Sequence, residues 1–189
     1  MIARASANGS GFMGEGLGMA TVPINPNHLA RLYPSVGAIV LYWGLIDTMV
    51  THIAFLMFKV LKTPDANHKL PVMFGARLEI LEANFKKHPE FAHLKDGGVQ
   101  IIKSIREMQR LRDMLIHGVA ASYEAKDDAI VFSRIDRLTP GQKRQSKSSA
   151  FSHSFNRMPV RFKTLEEASD RCISINAFLD GLVKHLQTL

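Results

Sequence analysis

The chain has 189 residues, 46% of them hydrophobic and 22% charged, which excludes wholesale disorder and leaves room for one domain with a substantial core. A single cysteine, Cys172, excludes an internal disulfide or a cysteine zinc cage and fits a reducing, cytoplasmic setting. The net charge of +7 is local: from Ala129 to Lys163 eight basic residues (Arg134, Arg137, Lys143, Arg144, Lys147, Arg157, Arg161 and Lys163) face one acid, Asp136, so this segment carries the whole excess.

Residues 1–28 are rich in Gly, Asn and Pro and read as a flexible tail. Gly9, Gly11 and Gly14 spell a formal G-x-G-x-x-G, but no strand precedes them and no helix follows to aim amides at a pyrophosphate. The glycines also interrupt any hydrophobic core of a secretory signal. Residues 29–189 read as a single helical domain.

From Ser35 to Leu61 the sequence is long and apolar enough to raise the question of a membrane span. Gly44, Asp47, Thr48, Thr51 and His52 recur at steps of three and four, however, and draw a polar stripe along one face. The favoured reading is a central helix buried on most sides, without a membrane. A second helix is predicted over Pro71–Lys87, where Phe74, Leu78, Leu81 and Phe85 share a stripe and the proline suits the first turn. The stretch "HPEFAHLKDGG" then reads as a break ending at Gly97 and Gly98.

A third helix is predicted from about Val99 to Ile116, followed by a β-hairpin from "VAASYEA" and "AIVFSRI" and a basic excursion, the whole insertion covering about residues 119–163. In the last helix, Thr164 and Glu167 form a capping box, and Leu165, Ala168, Cys172, Ile175, Leu179, Leu182 and Leu186 make a packing face that takes Cys172 into the core. The fold class is therefore all-α, a four-helix-type bundle with a small β-hairpin inserted before the last helix.

The third helix carries the functional signal. Arg112 interrupts its apolar stripe, while Arg106, Arg110, Asp113 and His117 follow one another at steps of four, three and four on a charged stripe. A buried guanidinium needs a partner, so Arg112 either pairs inside the bundle, for instance with Asp47, opens onto an anion-binding cleft, or packs its stem and sends its head to solvent. His117 sits before Gly118, which is expected to cap the helix in the left-handed conformation. There an imidazole is either a cation favoured by the helix dipole or a proton carrier at the mouth of a cleft. On one uninterrupted helix residues 112 and 117 point about 140° apart, so their convergence needs a loosened helix end or a two-fold partner docked on the apolar first helix.

"RDMLIHG", with Arg112, four residues, His117 and Gly118, resembles the signature of the HEPN superfamily, helical bundles marked by Arg, four to six residues, then His at a helix end. Arg110, six residues before His117, also fits the spacing. Where many members carry Asn after the motif arginine, this chain has Asp113. The resemblance covers roughly residues 30–189 and implies metal-independent RNA cleavage by a homodimer, of a defence or toxin type with an antitoxin-like protein partner. It implies His117 as general acid/base and Arg112 as phosphate stabiliser, with Arg110, Asp113 and Asp47 in support and no metal or cofactor. The eight basic residues would guide the RNA backbone, and Phe151, Phe155 and Phe162 either stack on its bases or anchor the loop to the bundle. The alternative is a catalytically silent helical module of the same kind that binds RNA, a nucleotide or a protein.

Overall fold

The computed structural model describes residues 21–61, 70–137 and 153–189. Among these residues four α-helices and one 3-10 helix accompany a small antiparallel sheet, in the order β1 (Thr21–Val22), α1 (Pro26–Leu61), α2 (Phe74–Lys87), the 3-10 helix Pro89–Leu94, α3 (Lys95–His117), β2 (Val119–Glu124), β3 (Ala129–Arg137), β4 (His153–Arg161) and α4 (Phe162–Thr188). The chain is thus mainly helical, as its periodicity indicates. The sheet is larger than a hairpin, because β4 pairs with β3 along its whole length and β1 adds a two-residue edge to β2.

β1 and the start of α1 precede residue 28. Asn25 accepts the His28 N–H through Oδ1 (3.0 Å) and caps α1, while Pro26 takes the first helical position, where its missing N–H costs nothing. Pro34 is then tolerated inside the helix on its exposed side. On one face of α1, Ile39, Trp43, Ile46, Val50, Ile53 and Met57 are buried at steps of three and four. That face meets the equally regular α4 stripe through Cys172 to Leu186. The two helices run parallel, since Arg31 stacks on Phe162 (3.9 Å) and eleven residues later the Tyr42 carbonyl accepts from Asn176 Nδ2 (3.3 Å). Burial pushes the Cys172 thiol up to about 11, in keeping with a core residue.

α1 is less enclosed than the sequence suggests. It is the one helix among the described residues long and apolar enough to cross a membrane, yet only 33% of its most apolar window is buried. The bundle supplies helices for one side, and the opposite side leaves Tyr33, Leu41 and Leu45 exposed, Leu41 at 75%.

Two other expectations change with the packing. The start of α4 lies at Phe162, two residues before Thr164, and its free N–H is satisfied by the Asp128 carbonyl (3.1 Å) in place of a capping box. That carbonyl belongs to the β2–β3 turn, where Asp128 adopts a left-handed φ of 47° and its carboxylate takes two hydrogen bonds from Arg31 (3.0 and 2.8 Å) and one from Tyr123 (2.8 Å). The Arg31 hydrogen bonds hold the carboxyl below the usual aspartate range. Likewise α2 begins after Pro71, with Arg77 N–H closing the first turn on the Met73 carbonyl, and Gly97 and Gly98 lie inside the first turn of α3 and do not break the chain.

Candidate anion-binding site

α3 forms because Ile102, Ile105, Met108 and Leu115 give it a continuous buried stripe, and it antiparallels α4, with Glu107 paired to Arg171 (3.1 Å). Its end differs from the left-handed cap expected at Gly118: that residue is extended (φ −88°, ψ 157°) and leads directly into β2. Glycine is needed there for another reason. Its N–H donates to the Met114 carbonyl (2.9 Å), and a Cβ at this position would stand 2.4 Å from the same oxygen.

Arg112 projects from the buried stripe, as its position in sequence requires, with its side chain 30% exposed. Its partner is Asp113, whose Oδ1 accepts from Nη1 at 2.9 Å, and its Nε is buried without a hydrogen-bond partner among the described residues. The pairing with Asp47 does not form. Asp47 instead meets Arg77 of α2 (3.2 Å), because α2 packs Phe74 against Trp43 and thereby brings Arg77 to the α1 polar stripe. Asp47, Thr48, Thr51 and His52 line a hollow of their own on α1, about 440 Å³, which does not include the residues of the α3 end.

The charged stripe of α3 divides: Arg106 pairs with Glu82 of α2 (2.8 Å), and Arg110 and Asp113 face the sheet. Arg110, Asp113 and Met114 line a groove of about 360 Å³ together with Arg134, Asn156 and Arg157 from β3 and β4. Two residues of the basic segment line it: Arg134, which opposes Asn156, and Arg157, which opposes Ser133 on the next rung and is exposed on the edge strand β4. The lining holds three arginines against one acid, and that acid is already paired with Arg112. Among the described residues Arg110 and Arg157 pair with no carboxylate. His117 is exposed at the helix end, and on the helical wheel it lies only about 20° from Arg110, two turns before it.

No protein-family model, curated protein or solved structure matches the chain.

The remaining basic candidates divide. Arg161 forms an ion pair with Asp127, and Lys163 approaches Glu167 at 3.7 Å, so both serve the sheet-to-helix corner more than the groove. The Arg137 side chain and residues Lys143, Arg144 and Lys147 lie outside the described residues, as do Phe151 and the Phe155 side chain. Phe162 is no stacking platform for a base: it is buried at the start of α4 under Arg31. Asn156 and Met158 also line this groove, and as uncharged residues they carry no electrostatic signal in the sequence. Among the described residues no three His, Cys, Asp or Glu side chains are grouped as a metal ion would require.

Proposed function

We propose that this chain is a HEPN-like, metal-independent endoribonuclease of the cytoplasm that acts as a homodimer, with Arg110 in the role of the motif arginine. The observation that carries this reading is the groove in which Arg110 meets Arg134 and Arg157, on the helical face that ends in His117. Arginines converging from a helix and two strands suit a phosphodiester, and an imidazole on the same face suits proton transfer. His117 would take the proton of the ribose 2′-OH as its oxygen attacks phosphorus, then return a proton to the departing 5′-oxygen, leaving a 2′,3′-cyclic phosphate. Arg110 and Arg157 would balance the charge that builds on the phosphoryl oxygens. Arg112 becomes a positioning residue that holds the Asp113 carboxylate.

Purified protein should therefore degrade unstructured RNA in EDTA, and His117→Ala should slow that degradation by about 10²–10⁴-fold. Equal rates for the two proteins would sink the enzyme reading. One observation favours the silent RNA-binding module as a second reading: Asp113 places a carboxylate in the groove, where it opposes a phosphate. On that reading His117→Ala binds RNA as wild type does, neither protein cuts it, and affinity falls steeply with salt.

The exposed stripe of Tyr33, Leu41 and Leu45 supports the homodimer, because a second copy of α1 would remove that apolar surface from water. Light scattering in detergent-free buffer at micromolar concentration should give about twice the chain mass of 21.1 kDa, and Leu41→Asp should return it to the monomer value. A wild-type monomer contradicts the dimer, and a requirement for detergent favours a membrane-bound α1.

A further inference from the structure

The groove continues past Arg110. On the far side of that residue α3, β4 and the first turns of α4 enclose a second hollow of about 270 Å³, floored by Met108, Leu111, Pro159, Val160 and Ala168. Arg110 and Met158 line both hollows, so the two form one trough with a cationic end and an apolar end. The apolar end has room for one planar ring system and not for a folded nucleic acid. Two carboxylates stand with the Thr164 hydroxyl around its opening: Glu107, held by Arg171 at 3.1 Å, and Glu167, which Lys163 only approaches at 3.7 Å and whose side chain is 56% exposed.

A ligand that fits both ends has an anionic group, a flat apolar body and hydrogen-bond donors on its outer edge. A nucleotide with an exocyclic amino group meets all three conditions. A fatty acid supplies the first and an apolar body, but sets methylene groups against the exposed Glu167 carboxylate and brings it no donor. Uracil places two carbonyl oxygens around its single N–H, and so turns acceptors toward Glu167. Resting on the reading of the arginine groove as an RNA site, we propose that the trough seats one nucleotide of single-stranded RNA, its phosphate at Arg110 and Arg157 and an amino-bearing base over Leu111 and Met158 with its edge toward Glu167. The enzyme thus selects adenine, cytosine or guanine over uracil beside the phosphate it holds.

The probes are fluorescent 2′-O-methyl decamers of adenosine and of uridine, which lack the hydroxyl that cleavage consumes, read by fluorescence anisotropy at physiological salt. Wild type should bind the adenosine decamer about tenfold more tightly, one unmatched polar edge in a partly buried site accounting for that ratio. Glu167→Gln should bring the ratio to within about twofold, since a carboxamide serves donor and acceptor edges alike. Glu167 is exposed, so the substitution leaves the core intact. Equal binding of both decamers by wild type overturns the base seat and leaves the RNA reading standing. Failure of both to bind overturns the two together, and displacement of the adenosine decamer by oleate but not by adenosine monophosphate assigns the trough to an acyl chain and overturns the proposal.

Discussion

Arg110→Ala is expected to lower RNA cleavage by about 10²–10³-fold, the usual cost of removing one donor that stabilises developing charge, while Arg112→Ala lowers it by less than about tenfold. The contrast follows from where the two guanidiniums stand. Arg110 lines both halves of the trough and pairs with no carboxylate among the described residues. Arg112 is engaged by Asp113 and anchored among buried residues of α3, so its loss acts on the carboxylate it orients and on packing of its stem. Salt titration adds a second readout: Arg110→Ala should make the slope of log affinity against log salt shallower by about one, and Arg112→Ala should leave it unchanged. If Arg112→Ala abolished cleavage and Arg110→Ala did not, the reacting phosphate would have to lie at the buried side of α3, in a seam completed by a second protomer.

A large effect on stability is expected at Gly98. A Cβ there would lie 2.5 to 2.7 Å from three atoms of the Phe85 ring, well inside van der Waals contact. The ring has nowhere to go, being 1% exposed and packed edge-on against Phe91 (5.7 Å) and Phe178 (6.4 Å). Two effects oppose each other in Gly98→Ala. Alanine gains up to about 1 kcal/mol in helix propensity, while overpacking a rigid core costs about 1–3 kcal/mol. With an overlap this deep the steric cost should win, and the melting temperature should fall by about 2–4 °C for each kcal/mol of net loss. Gly97→Ala is the control, because its Cβ would meet Phe178 at an ordinary 3.8 Å. It should leave stability unchanged or raise it slightly, and pairing Gly98→Ala with Phe85→Leu should recover part of the loss. A Gly98→Ala protein as stable as the Gly97→Ala control would contradict this packing account.

Periodicity located all four helices and the buried face of α4, since an apolar stripe at steps of three and four leaves a chain few ways to bury it. Helix ends were less legible because their caps come from elsewhere in the chain. The α4 start depends on a carbonyl of the β2–β3 turn, and no local pattern around Thr164 contains that information. β4 was seen only in part, as its pairing depends on a register with β3 across the long basic excursion. The site shows the same division. Spacing put Arg110, Asp113 and His117 on one face, but choosing between Arg110 and Arg112 required knowing that the sheet lies over the first and that Asp113 occupies the second. Asp47 shows the same limit: nothing in the sequence says that Arg77 of α2 is the arginine that reaches it.

The parallel contact of α1 with α4 also shapes how the chain is made. Arg31 and Asp128 are 97 positions apart, and Tyr42 and Asn176 are 134 apart, so the first helix closes against partners that leave the ribosome much later. Loop closure over such distances is slow, whereas α2 and α3 are joined by one short 3-10 helix and can dock early. During synthesis α2 can cover Trp43 through Phe74, but the part of α1 that packs on α4 waits in water until the final helix has emerged. The nascent protein spends that interval with part of a long greasy helix uncovered.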